Sequence, residues 1–459
     1  MFDSLAGMSK TFRAWDVDQA WLLPASLHQF VPPGHLAHFV RDTVREALDL
    51  SAVTGVYKAE QGQPPYHPGM LVALLLYGYS RGIYSSRQLA RACEERVDVM
   101  AVTGLNRPDF RTVSDFRKRH LPALQQIFVQ VLRLCQAAGL VKLGHVAVDG
   151  TKLRANASKH KSMSYKHMVS QEPKLAAEVA SWLDQADTAD AAEDAQHGAG
   201  RRGDETPDWP DAKRQSGMAD KQRRLARIRT AKAQLEAEAK AGPNSTDPDG
   251  PGPSSGMQER GARKDRPADT PLDKAQRNFT DPDSRIMPSQ GGFIAGYNGQ
   301  IAVDAAHQII VAQRLATNPA DFAGLIPLVD QAKANLGRKL REVSGDTGFA
   351  TEANLEAMAE RRVAAYLSPG RIRHGNTDPT AGRVLKRKPR MQAMSETIRK
   401  VGRRSRCRLR KQVVEPVFGH IKQARGFRQL LLRGLTKVRG EWAMICTVHN
   451  LLKLHRAAA

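Results

Sequence analysis

The chain has 459 residues, 41% of them hydrophobic, enough for two or three domains with a sizeable core. Its 70 Lys and Arg stand against 47 Asp and Glu, and the resulting net charge of +23 favours a polyanionic partner. Four scattered cysteines (Cys93, Cys135, Cys407 and Cys446) argue against a disulfide framework or zinc site, and the longest apolar run, Met70 to Tyr79, is too short to span a bilayer.

Residues 1–140 read as helical. Pro68 suits the first turn of a buried helix through Leu71, Leu74, Leu75 and Leu76. Ser85-Ser-Arg-Gln88 has the spacing of a capping box and opens a helix through Leu89 and Cys93. Thr112-Val-Ser-Asp115 has the same character and leads into a helix through Phe116, Leu124, Phe128 and Leu132. Short helices joined by turns such as Gly104-Leu-Asn-Arg-Pro108 allow a helix-turn-helix; a plain helical packing domain fits the same pattern.

The period then changes from helical to alternating. His145-Val-Ala-Val-Asp149 is a β-type run closed by Asp149-Gly150. Two more strands are expected within 294–315, then a helix through Leu325 and Leu336, a strand from Leu340 to Asp346, a helix over 351–361 and a strand over 363–367. This order predicts an α/β sheet domain over 141–459. An insertion of about 160–285 separates the first and second strands. Its stripes of Leu175, Val179, Trp182 and Leu183, and of Leu225, Ile228 and Leu235, predict an antiparallel helical hairpin. The stretches 187–211 and 242–271 are rich in Gly, Pro, Asp, Ser and Ala and are expected to be disordered. Beyond residue 370 there are 23 Lys or Arg and 4 Asp or Glu, and apolar residues at helical spacing run through the same stretch, which predicts a folded basic face for phosphates.

Metal-dependent phosphodiester chemistry needs carboxylates converging on two ions about 4 Å apart. Three acidic residues stand at the ends of expected elements. Asp149 closes the first strand, Asp346 closes the fourth, and Glu415 lies at the entry of a helix through His420, Ile421 and Lys422. Singly, each has a structural alternative: a turn at Asp149-Gly150, a helix cap at Asp346, a dipole-favoured helix start at Glu415. Jointly, in this strand order, they favour a catalytic reading. His145, His160, His167, His420 and His449 form no metal-spaced pair and are expected to be structural or solvent-facing. Trp442, Ile445 and Leu452 are expected to pack the last helix, with base stacking by Trp442 a remote alternative.

The motifs around these acids resemble those of DDE transposases from bacterial insertion sequences. Val146-Ala-Val-Asp-Gly-Thr-Lys-Leu-Arg-Ala-Asn-Ala-Ser158 is similar to the first-aspartate motif, Gly345-Asp-Thr-Gly-Phe349 to the second, and Val414-Glu-Pro-Val-Phe-Gly-His-Ile-Lys422 through Leu430-Leu-Leu-Arg-Gly434 to the glutamate block. Tyr66-His-Pro-Gly-Met-Leu71 and Pro108-Asp-Phe-Arg-Thr112 look like parts of the family's helical N-terminal domain. The resemblance implies an RNase H-like catalytic core with Asp149, Asp346 and Glu415 as catalytic and metal-binding triad. It implies Mg²⁺ as cofactor, with Mn²⁺ as a substitute. The substrate implied is double-stranded DNA, the element's terminal inverted repeats and a target, held by a homodimer. Lys422, seven residues after Glu415, matches a phosphate-binding lysine of the pattern, and Arg410 or Lys411 and Arg433 extend the basic set. The tyrosine of the pattern falls on Cys407 or Arg408. With no basic-then-apolar leader at its start, the protein is expected in the bacterial cytoplasm, near the nucleoid. An inactive DNA-binding relative and a metal-dependent nuclease are the competing functions.

Overall fold

The structure is a computed structural model that describes residues 27–57, 65–197, 212–241, 270–289, 291–368, 388–401 and 406–458. Its N-terminal part is built from α1 (Leu36–Asp42), α2 (Ser51–Thr54), α3 (Pro68–Ser80), α4 (Ser86–Glu95), α5 (Val97–Thr103), α6 (Phe110–Arg119) and α7 (Leu121–Ala137). Pro68 starts α3 as expected, because a residue without an N–H loses nothing in a first turn. Leu71, Leu74, Leu75, Leu76, Tyr77 and Tyr79 are all buried, as an all-round apolar helix must be. Ser85 precedes α4, but its side chain makes no capping bond. The helix expected from Thr112 through Leu132 is in fact two. The Asp109 carboxylate accepts the N–H groups of Arg111 and Thr112 and starts α6 earlier, and Pro122 restarts the chain as α7.

The rest of the chain runs β1 (His145–Arg154), β2 (Ser162–Ser164), α8 (Tyr165–His197), α9 (Ala212–Ala241), β3 (Gln276–Asn278), β4 (Arg285–Ser289), β5 (Gly292–Asp304), β6 (Ile310–Ala316), α10 (Leu325–Leu336), β7 (Glu342–Gly345), α11 (Glu352–Glu360), β8 (Ala364–Leu367), α12 (Pro389–Val401), α13 (Arg406–Gly419) and α14 (Leu435–Ala458). The main sheet has the order β4-β5-β1-β7-β8, with β6 also on β5. Strand β1 is its centre. It runs antiparallel to β5 and parallel to β7, which in turn runs parallel to β8.

The first strand does not close at Asp149. It continues to Arg154, because the long β5 keeps pairing with it: Asp149 sits opposite Ile301 and Arg154 opposite Gly296. The turn reading of Asp149-Gly150 is thereby excluded.

One apolar core runs from the N-terminal helices into the sheet. Helix α14 joins the two, packing on α7, α3 and β6. Trp442 of α14 is fully buried and lies against β5 at Gly299, where a Cβ would stand 3.0 Å from its Cζ2. Packing of the last helix is therefore the role of Trp442 and Ile445, and a base could not reach the indole.

Helices α8 and α9 form the expected antiparallel hairpin. Glu172 pairs with Arg229 at 3.2 Å and Lys232 at 2.8 Å, Glu178 with Lys221 at 2.8 Å, and Tyr165 donates to Glu236 at 2.9 Å. The hairpin has its own small core of Met168, Leu175, Leu225, Ile228, Ala231 and Leu235. Residues 187–197, expected to be disordered, continue α8. The remaining low-complexity stretches at 198–211 and 242–269 lie outside the described residues. Among the described residues no helix is long and apolar enough to cross a membrane.

Candidate active site

Parallel pairing brings the two aspartates together. Ala147 of β1 stands opposite Ser344 of β7, and Asp149 and Asp346 each lie two residues further on. The Asp149 carboxylate accepts the Gly150 N–H at 2.8 Å and an ion pair from Arg410 of α13. The Asp346 carboxylate accepts the Gly348 N–H at 2.9 Å. Thr351, not Asp346, caps α11.

Burial pushes the Asp149 carboxyl up to about 6; Arg410 opposes that rise, and the nearby charges of Asp346 and Asp321 add to it. Burial, and next to it the charge of Asp321, also raise Asp346 above the ordinary carboxylate range. Crowded like charges of this kind mark a site where a cation or a proton is wanted.

Glu415 is placed differently from expectation. It lies inside α13, not at a helix entry, because the helix begins nine residues earlier at Arg406. Pro416 is tolerated within it. The Gln412 carbonyl, which a residue with an N–H would satisfy, accepts Gln308 Nε2 at 3.1 Å instead. The Glu415 side chain is exposed, five residues beyond the arginine that reaches Asp149.

Three of the four expected basic residues meet β1 in order along the strand and its continuation. Arg410 bonds Asp149, Lys422 Nζ donates to the Lys152 carbonyl at 3.0 Å, and Arg433 Nε donates to the Asn156 carbonyl at 2.9 Å. Burial, with Arg428 and Lys152 nearby, lowers the pKa of Lys422. Lys411 is exposed on α13. At the expected tyrosine position, Cys407 Sγ donates to the Tyr366 carbonyl at 2.9 Å, and Arg408 is exposed.

Sequence reasoning missed Asp321. It follows β6 in Asn318-Pro-Ala-Asp321, and it accepts Asn298 Nδ2 at 2.6 Å, Gln300 Nε2 at 3.1 Å and Lys152 Nζ at 3.4 Å. Asp346 is selected because it closes an expected strand; Asp321 lies five residues beyond the end of β6, where that signal does not point.

Two family models match the chain: a transposase domain (DUF772) over residues 25–119 and a transposase DDE domain over residues 268–451. Asp321, Asp346 and Glu415 fall in the second span, whereas Asp149 falls in neither. No curated protein and no solved structure matches the chain. A helical N-terminal part followed by a mixed sheet, each matched by a transposase domain, defines a transposase. The two matches together support an insertion-sequence DDE transposase.

Proposed function

We propose that this transposase binds the terminal inverted repeats of its insertion sequence and carries out metal-dependent strand cleavage and strand transfer with Asp149, Asp346 and Glu415. The observation that carries the reading is the placement of Asp149 and Asp346 on neighbouring parallel strands, where the Asp346 charge adds to the burial that raises Asp149. A mixed sheet centred on β1 and the DDE domain match support an RNase H-like core.

The donor set fits a divalent ion in kind. Hard carboxylate oxygens suit Mg²⁺, with Mn²⁺ as a substitute, and a cation would offset the burial that chiefly raises both aspartates, and the neighbouring negative charge that adds to it. Among the described residues no three such side chains already stand in ligand geometry. Arg410 takes one Asp149 oxygen and Glu415 faces solvent, so Arg410 must yield and Glu415 must turn inward. A bound divalent ion supplies polarisation of the phosphate and of the attacking water or 3′-hydroxyl. Asp149 and Asp346 hold their oxygens at the ends of buried strand segments, which fixes the line of attack. Lys152 of β1 and Lys422, which follows α13 and donates to the Lys152 carbonyl, seat a phosphate of the strand being cut.

For recognition of the ends we assign the helical region 1–140. Its α6 presents Phe110, 38% exposed, with the guanidinium groups of Arg87 and Arg111 at 5.1 and 5.8 Å from the ring centre. Two chains on paired ends form the working complex.

The test is an assay on labelled duplex taken from the borders of the gene. Wild type with Mg²⁺ is expected to nick at the end and to join the freed 3′-end to target DNA. Asp346→Asn is expected to lose both products by a factor on the order of 10³ while still binding the duplex. Cleavage that persists in chelator would sink the metal reading, and hydrolysis with no joined product would make the protein a nuclease.

A further inference from the structure

We infer that the helical hairpin is a DNA-holding arm: the cleft between α9 and the turn after β1 takes the sugar-phosphate backbone of the end duplex, away from the point of cutting. The inference rests on the transposase reading above and adds a second contact surface to it. The cleft has a volume of about 440 Å³. One wall is α9, with Arg223, Arg224 and Arg227. The other is the turn Lys159–Lys161 with β2, and Lys161, Met163 and Phe279 complete the lining. Met163 and Phe279 are partly buried against the hairpin core, so an apolar base lies beside a cationic rim. Such a lining suits a sugar-phosphate chain, whose phosphates take arginine forks and whose deoxyribose is its less polar part.

The cations of α9 fall into two sets. Lys221, Arg229 and Lys232 share a side of the helix with the buried Leu225 and Ile228, and the acids of α8 neutralise them: Glu178 takes Lys221, and Glu172 takes Arg229 and Lys232. Arg223, Arg224 and Arg227 form another stripe, exposed, at spacings of three and four. Asp220, 2.9 Å from Arg223, is the one acid in the lining, and among the described residues Arg224, Arg227 and Lys161 form no ion pair. Like charges at these spacings cost a helix about 0.2–0.5 kcal/mol per pair, a cost that a bound polyanion removes. Solubility alone is served by charges of either sign and does not require two separate segments to line one cleft with cations. The turn is also fixed in advance. Asn278, almost fully buried, donates to the Ser158 carbonyl at 2.8 Å and to Ser162 Oγ at 3.0 Å, and the Phe279 N–H donates to the Lys161 carbonyl at 3.0 Å. Lys161 is therefore presented from ordered backbone, which lowers the entropy lost on binding. Basic residues lead to the cleft from the aspartates: Arg410, Lys422 and Arg433 meet the chain at Asp149, Lys152 and Asn156, and the turn follows. Lys161 is twelve residues from Asp149, at most about 40 Å of chain, a length that about twelve base pairs of duplex cover. This continuity with the site of cutting selects DNA among polyanions.

Fluorescence anisotropy on labelled duplex from the borders of the gene, over a range of salt, tests this with the full chain. Wild type is compared with the double variant Arg224→Gln, Arg227→Gln, and with Lys221→Gln, Arg229→Gln, which removes the same charge from the side turned to α8. Loss of Arg224 and Arg227 is expected to flatten the slope of log affinity against log salt by about 1.8, so that over a fourfold rise in salt the wild type's advantage shrinks about tenfold. The Lys221 and Arg229 pair is expected to keep the wild-type slope. Equal slopes in all three proteins, or equal flattening in both double variants, overturn the proposal and leave the transposase reading standing. A wild type that does not bind the duplex even at low salt overturns that reading, and this one with it. Should the Arg224 and Arg227 variant not fold, Lys161→Gln on the opposite wall is expected to flatten the slope by about 0.9, and a wild-type slope there overturns the proposal.

Discussion

Asp149→Asn is expected to abolish cleavage and joining together, by a factor on the order of 10³ or more, and to leave DNA binding largely intact. The amide keeps the shape of the side chain in the centre of β1 while removing the charge that a divalent ion needs. Assays with Mg²⁺ and with Mn²⁺ on end duplex, beside a gel-shift measurement, check this. Full activity in the variant would remove Asp149 from the chemistry. The same substitution has a readout in folding. The Asp149 carboxyl ordinarily titrates at 3.8 and in the folded chain at about 6. Between those values the native state holds a proton that the unfolded chain has lost, so the folded state is favoured below pH 3.8 and loses that advantage as pH rises through about 6. In chelator, the wild-type melting temperature should fall across this window relative to its low-pH value. Asp149→Asn should lack that component of the fall, and parallel curves for the two proteins would count against the raised titration.

Trp442→Ala is expected to cost about 3–5 kcal/mol, the largest stability loss of any single truncation in α14. The indole is fully buried against Gly299 of β5, in the helix that also packs on α7 and α3. Its removal empties a space shared by the sheet and the N-terminal helices. Trp442→Phe should be much milder, because the ring is kept and because the indole Nε1, buried with no hydrogen-bond partner among the described residues, is a donor whose loss costs nothing. Denaturant titration of the two variants distinguishes them. A loss of DNA binding in Trp442→Phe with unchanged stability would revive the base-stacking role that burial excludes.

The strands of the sheet were legible in the sequence because alternation and apolar runs are local signals. Strands β5 to β8 fall where Ile301, Val303, Ile310, Val343 and Leu367 indicate. What was not legible depends on partners. The end of β1 is set by the length of β5, and nothing near Asp149 announces that pairing will continue to Arg154. Glu415 precedes a proline, which suggests a helix entry. The side chain of Gln308, more than a hundred residues earlier, satisfies the Gln412 carbonyl where the helix runs through Pro416. Asp321 comes to lie beside Asp346 because Gly150 and Gly348 leave it room, a property of three separate segments seen together.

The hairpin of α8 and α9 has an apolar core separate from that of the body, and it is fastened to the sheet region through the β2–β3 pair and through Glu238, which meets Arg277 at 2.5 Å and Arg285 at 3.5 Å. A unit with so small a core opens at a lower free energy than the sheet does. In native-state hydrogen exchange its amides should therefore report a subglobal opening, sensitive to Glu238→Gln, while those of β1 and β5 exchange only when the whole molecule unfolds.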